Sequence, residues 1–307
     1  MIIPKPAHFV RHAHTWLGIG LLWCVSRLPW GVQRFLADAF GAFCFHVIPV
    51  RRHVVMVNLR TCFPAWTEAE RRRVARRHYQ SLALGILEVA RCWWRPTDML
   101  PPCRLEGLEH LVQAREAGRP VLLVSGHFTT LEIAGRMLSL RTPLCCLYRD
   151  PNNPVLAGLF RKHRSVWAPR AIEMDDLAGL LRTLRRGEAV WYAPDQGKRT
   201  ASSMLLPFFG EPAITNTATS KLAQLSNALV IPFLPRREED GSYTLTVLPP
   251  LTDFPSRDAA ADTQRFTTLL EDAIRRAPEQ YLWVHRRFKS RDGLPDIYAK
   301  DSSSARR

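Results

Sequence analysis

The sequence lacks a long hydrophobic run. Residues 16–26 are apolar for roughly eleven positions and residues 39–50 for about twelve, whereas a simple transmembrane helix needs ~20. Arg27 and Pro29 interrupt the first run, and Arg34 and Asp38 separate it from the second. Trp16, Trp23 and Trp30 lie among His and Arg residues, and indole rings favour the headgroup level of a bilayer. The expectation is an amino-terminal membrane anchor, either tilted across the bilayer or lying in its interface. No small-residue cleavage site follows the first run, which argues against a removed signal peptide.

Acidic residues are scarce relative to basic ones. Against 43 Lys plus Arg there are 28 Asp plus Glu, a net charge of +15, with Arg far outnumbering Lys. Such a surplus fits a phosphate-bearing partner, which charge alone leaves as either a nucleic-acid backbone or an anionic membrane surface. The seven cysteines are scattered and lack the paired CxxC spacing that a zinc or redox site normally shows, so buried reduced thiols in a cytosol-facing protein are expected. A GxSxG nucleophile elbow is also missing, which disfavours an acyl-enzyme intermediate on serine.

What is present is an ordered alternation. Residues 51–94 read as basic helix, with Thr67 as a plausible N-cap before Glu68, and Pro96, Pro101 and Pro102 close that section. Beyond it, 120–125 is a continuous apolar run bounded by turn residues, as a buried strand should be, and 131–140 reads as the helix behind it. Strands over 144–148, 188–193, 229–234 and 244–248 then alternate with helices over 153–166, 175–186 and 215–226. The pattern predicts an α/β fold, a central largely parallel sheet flanked by helices. The corresponding divisions are an anchor at 1–50, a basic helical region at 51–100, an α/β domain at 101–295 and a tail at 296–307, loose from Asp301.

The chemistry centres on Ser125-Gly-His-Phe-Thr-Thr-Leu-Glu132, where the first strand yields to the first helix; α/β folds place active groups at such carboxyl ends. On one continuous helix, positions 127 and 132 would diverge by about 140° at ~100° per residue. If His127 lies on the loop and Glu132 in the first turns of the helix, the carboxylate can reach back to one ring nitrogen. It would then fix the tautomer and support an imidazolium, leaving the other nitrogen to deprotonate a substrate hydroxyl. By itself His-x4-Glu is a short pattern, and a hydrogen-bonded structural histidine is its bland alternative.

Several stretches give that pattern a context. His127-Phe-Thr-Thr-Leu-Glu132, Asn58-Leu-Arg-Thr-Cys-Phe-Pro64, Gly107-Leu-Glu-His110, Tyr148-Arg149, Asn153-Pro154, Trp191-Tyr-Ala-Pro-Asp-Gln196 and Ala277-Pro-Glu-Gln-Tyr-Leu-Trp-Val-His-Arg-Arg-Phe-Lys289 occur in this order. Together they resemble the late acyltransferases of lipid A biosynthesis, the lauroyl and myristoyl transferase family of Gram-negative bacteria within the lysophospholipid acyltransferase-like superfamily. The likeness runs from about residue 15 to 290.

The resemblance implies an inner-membrane enzyme with its catalytic domain facing the cytoplasm. Its donor would be an acyl carrier protein thioester. Its acceptor would be the 3-hydroxyl of an acyl chain on a Kdo-bearing lipid A precursor. The family motif matches His127 and Glu132, a downstream Arg matches Arg164, and the Asp of the Pro-Asp-Gln segment matches Asp195. An Asp common in the family shortly after the Asn-Pro pair is replaced here by Val155-Leu-Ala-Gly158, so no role for it carries over. Arg164 would stabilise an oxyanion or hold a phosphate, and Arg149 is a further candidate phosphate contact. Asp195 would face the same cleft. An ion-pair role is open for both Arg164 and Asp195.

Phe208-Phe209, within 196–212, reads either as an apolar lip for an acyl chain or as a core pair. The basic-aromatic run His285-Arg-Arg-Phe-Lys-Ser-Arg291 lacks an accompanying RRM, KH, zinc-finger or helix-turn-helix signature, so a headgroup-facing patch is preferred to a nucleic-acid partner. No metal or redox cofactor is implied, because no further ligands stand at metal-binding spacing from His127 and Glu132. Two other functions stay open on these residues: O-acylation of another lipid or glycolipid, and non-catalytic binding of anionic lipid.

Overall fold

The computed structural model describes residues 12–197 and 199–299; the first part of the expected anchor, 1–11, and the expected loose tail, 301–307, lie outside them. Four helices open the described chain: α1 (Ala13–Val25), α2 (Trp30–Val47), α3 (Pro49–Cys62) and α4 (Glu68–Trp94). The start of α4 is fixed by a capping box. Thr67 Oγ1 accepts from the Glu70 amide at 3.2 Å, and the Thr67 amide donates to the Glu70 carboxylate at 2.7 Å, so both orphan donors are satisfied. α2 lies against α4 so closely that a Cβ at Gly41 would come 2.4 Å from the Gln80 Cα, and only glycine fits this crossing.

The α/β region follows as β1 (Cys103–Glu106), α5 (Leu108–Glu116), β2 (Val121–Val124), α6 (Leu131–Ser139), β3 (Cys145–Tyr148), α7 (Pro154–Arg164), β4 (Ala171–Glu173), α8 (Leu177–Arg185) and β5 (Ala189–Tyr192). A hairpin, β6 (Ser203–Phe208) and β7 (Glu211–Asn216), leads to α9 (Ala218–Ser226), β8 (Leu229–Arg237), β9 (Tyr243–Val247) and α10 (Ala259–Arg276). Seven strands form one sheet in the order β1-β9-β8-β2-β5-β3-β4. Every neighbouring pair is parallel except β8 with β9, so the mostly parallel sheet expected from the alternation is present. β6 and β7 form a separate antiparallel pair.

Side chains alternate across the sheet. Leu122 and Val124 of β2 join Val190, Val230 and residues of α3 and α10 in one core, while Val121 and Leu123 join Trp191, Ile231 and residues of α5 and α6 in the other. This period-2 division explains why β2 reads as an unbroken apolar run: both of its faces are covered. The first core spans Phe45 to Tyr298, so the early helices share an interior with the sheet.

Several elements differ from the sequence expectation. The helix expected from 215 begins at Ala218, because Thr215 and Asn216 pair with Met204 and Ser203 at the end of the hairpin. Pro207, Pro212 and the left-handed Phe209-Gly210 corner break the alternation that would have marked the hairpin. β1, α5, β4 and α10 were not expected. Tyr298, inside the expected tail, is buried and donates to Asn58 Oδ1 at 2.5 Å.

No single helix among the described residues is long and apolar enough to cross a membrane. α2 and α3 together have the length and composition but meet at 93°. Their surface is nevertheless apolar: Phe35 is 70%, Phe43 60% and Val50 68% exposed, and α1 has no buried residue.

Candidate active site

β2 and β5 are adjacent and parallel, with Val121 opposite Ala189 and Val124 opposite Tyr192. Continued three residues past the strand ends, the same register sets His127 against Asp195. The contact is made: His127 Nδ1 lies 2.5 Å from Asp195 Oδ1, and the His127 backbone N–H donates to Oδ2 at 3.0 Å. The buried Tyr281 hydroxyl donates to the same carboxylate.

The histidine loop is held from its other side by residues 280–282. Leu282 N–H donates to the His127 carbonyl at 2.9 Å, Thr129 N–H donates to the Gln280 carbonyl at 2.8 Å, and Phe128 bridges Tyr281 in antiparallel fashion. The loop is therefore fastened at 127, 128 and 129, which fixes the ring before substrate arrives.

The electrostatics follow from burial and pairing. Burial raises the Asp195 pKa, but the neighbouring imidazole charge and the hydrogen bonds from His127 and Tyr281 outweigh it and bring the carboxyl down to about 2. For His127, burial favours the neutral ring, yet the Asp195 charge and hydrogen bond prevail and raise it above the ordinary imidazole value. His127 Nδ1 thus carries its proton toward Asp195. Nε2 has no hydrogen-bond partner among the described residues, and the ring lines a cavity of about 720 Å³. This is a dyad able to remove a proton from a hydroxyl in that cavity.

Glu132 does not make the contact expected of it. It lies in the first turn of α6 as predicted, but its carboxylate pairs with Arg164, at the end of α7. The acceptor beside the imidazole comes from the neighbouring strand's loop instead. Glu132 and Arg164 still line the same cavity as His127, each side chain 13% exposed. Burial disfavours the guanidinium charge, but Glu132 reverses the effect and Arg164 stays firmly protonated. Its guanidinium also sits 4.8 Å over the Phe160 ring and 5.4 Å over Tyr148.

The remaining expectations divide. Arg149 is exposed and lines the cavity, whereas Arg161 turns away to Asp150, and His163 stacks on Trp93 with centroids 4.9 Å apart. Asp195 is buried behind the histidine and does not line this cavity. Phe208 is fully buried against Tyr281 and Phe288, which decides for the core pair over the acyl lip. Tyr281 and His285 were missed as site residues, although both lie in the Tyr-Leu-Trp-Val-His segment. His285 lines the cavity, and burial, together with the positive charge of Lys289, lowers its pKa to about 4. Among the described residues no cluster of three or more His, Cys, Asp or Glu side chains is placed to hold a metal ion.

Hydrocarbon and indole form much of the remaining wall, including Leu131, Leu147, Trp167, Leu180, Trp191 and Leu222, beside the polar Asp175, Gln196, Asn216 and Lys289. The space suits a flexible apolar chain whose reactive end lies beside a base.

Comparison with known proteins agrees with this geometry. The family described as "Bacterial lipid A biosynthesis acyltransferase" matches residues 4–290. The chain is 37% identical over 297 residues to the lipid A biosynthesis lauroyltransferase of Escherichia coli strain K12, covering 94% of this chain and 95% of that protein. It is 34% identical over 284 residues to the palmitoleoyltransferase of the same strain, covering 92% of each. A lipid A biosynthesis acyltransferase of Haemophilus influenzae is 31% identical over 291 residues, with 92% and 93% covered. A match that takes in the strand-end histidine, its aspartate and the segment that fastens them makes this chain a member of the bacterial lipid A biosynthesis acyltransferase family.

Proposed function

We propose that this protein transfers a fatty acyl group from an acyl carrier protein thioester to the 3-hydroxyl of an acyl chain on a Kdo-bearing lipid A precursor, at the cytoplasmic face of the inner membrane. The observation that carries the reading is the free His127 Nε2, backed by Asp195, at the wall of an apolar cavity.

In the proposed reaction Nε2 takes the hydroxyl proton as the oxygen attacks the thioester carbon. Asp195 supports the imidazolium that forms. The tetrahedral oxyanion then collapses, the C–S bond breaks, and the departing thiolate takes the proton from the imidazolium, leaving an ester and a free thiol. Arg164, fixed by Glu132, supplies a charged donor for the oxyanion or for a phosphate of the substrate. Glu132 therefore serves as the positioning partner of Arg164. Arg149, at the cavity rim, is a second phosphate contact.

Membrane placement is supported by the exposed apolar faces of α1 and α2 and by the net charge of +15, since apolar burial and attraction to anionic lipid act together at an interface. The test is to incubate purified protein with acyl carrier protein thioesters and a tetra-acylated Kdo-lipid A precursor and follow product mass. His127→Ala is expected to slow ester formation by on the order of 10²-fold or more. Transfer that proceeds undiminished in that variant overturns the assignment of the base.

A further inference from the structure

A second cavity, also of about 720 Å³, lies between α2, α4 and residues 282–289. Its volume is within the roughly 300–1,000 Å³ of ordinary ligand sites. Hydrocarbon lines most of it, with Phe40 and Ile48 contributed by the amino-terminal helices and Leu82 and Ile86 by α4. Its charged lining is of one sign: among the described residues Arg51, Arg286 and Lys289 are present and no carboxylate is. Arg51 reaches only the Val284 carbonyl, at 3.4 Å, and Arg286 lies 5.0 Å over the Tyr298 ring, so neither guanidinium is neutralised by an acid among the described residues.

This groove adjoins the reactive cavity across a shared wall. His285 and Lys289 line both, and His285 Nε2 is buried with no hydrogen-bond partner among the described residues. On its outer side the groove opens beside the exposed aromatic face of α2, where Phe40 is 57% exposed.

We propose that this groove seats the acceptor lipid, with a non-reacting acyl chain against Phe40, Ile48, Leu82 and Ile86 and an anionic phosphate against Arg51 and Arg286. The acceptor hydroxyl then passes the His285–Lys289 wall to reach His127, while the donor chain occupies the cavity beyond. A phosphorylated lipid drawn from a membrane matches this surface on both counts, since it brings hydrocarbon and negative charge together. The inference rests on the acyltransferase reading above and adds to it where the acceptor binds.

Two measurements test it with the full chain. In turnover, the exposed pair Arg51→Glu/Arg286→Glu, and separately Ile86→Asp, should raise KM for the phosphorylated acceptor by about tenfold or more while leaving KM for the thioester donor within about twofold. In binding, His127→Ala protein, which cannot turn over, should lose affinity for the same acceptor in mixed micelles by a similar factor when the arginine substitutions are added. Dephosphorylated acceptor should abolish the difference between the arginines and their replacements. A rise in donor KM instead would assign the groove to the donor chain and overturn the proposal. So would an unchanged acceptor KM and affinity, or an equal loss of binding to plain phosphatidylglycerol vesicles, which would mean general surface attraction. Should the wild-type protein bind the acceptor through these arginines but form no ester, the groove stands and the acyl-transfer reading falls.

Discussion

Of the two carboxylates at this site, Asp195 bonds the imidazole and Glu132 pairs with Arg164, so the proposed base is set by Asp195. Because its charge and hydrogen bond hold His127 above the ordinary imidazole value against the pull of burial, the neutral, active form of the ring predominates only above that raised value. Removing the charge lets burial dominate, and the ring then stays neutral to lower pH. Asp195→Asn should therefore move the acid limb of the kcat/KM profile downward, even as it slows the reaction by on the order of 10²- to 10⁴-fold through loss of the tautomer and of imidazolium support. An acid limb that stays in place, or moves up, would remove Asp195 from this role. The sequence exposed His127 and Glu132 as a local motif, and it exposed Asp195 as a strand-end residue. It could not show which carboxylate meets the ring, because that depends on β2 and β5 being neighbours in the sheet, a fact no local spacing carries.

At the scale of elements, the long helix α4 acts on the site through its backing of the histidine loop. A Cβ on Gly85 would lie 2.6 Å from the Thr129 carbonyl oxygen, and Ser81 Oγ is 2.7 Å from Thr129 Oγ1. Gly85→Ala must push helix and loop apart; a cost of about 1–3 kcal/mol in unfolding free energy is expected, with a fall in kcat larger than any change in donor KM. Unaltered kinetics in a destabilised Gly85→Ala would show that the loop is held by residues 280–282 alone. The same helix carries Glu88, 1% exposed, which bonds Arg237 of β8 and Tyr243 of β9. Arg237→Met leaves that carboxylate buried without its cation and should cost about 3–5 kcal/mol, much of it recovered by adding Glu88→Met; chemical denaturation of the two variants measures this. β2, β3, β5 and the helices between them were legible because both faces of each strand are covered and the apolar runs are short and bounded. The β6–β7 hairpin was not, since prolines and the 209–210 corner hide its alternation.

For the whole molecule, the placement of apolar surface matters more than its amount. Phe35 and Phe43 project from α2 while its Ala37 and Gly41 face α4, so the helix has an inner face that folds and an outer apolar face left exposed. Phe35→Ser/Phe43→Ser should leave the unfolding midpoint nearly unchanged yet weaken binding to anionic vesicles by at least about tenfold, given ~1.5–3 kcal/mol for burying one such side chain; equal vesicle binding would remove α2 as a docking face. The sequence announced this apolar front but not its bend, for the 93° turn between α2 and α3 is set by contacts with α4 and the sheet. One buried side chain shows how far those contacts reach. Asn58 of α3 donates to the carbonyls of Trp283 and His285 at 2.7 and 2.8 Å while accepting from Tyr298, so the front helices brace the segment that fastens the histidine loop. Trimming the chain to obtain a more soluble enzyme would therefore unseat its reactive centre, and solubility has to be sought by recolouring the outer face of α2 with polar residues while every helix is kept.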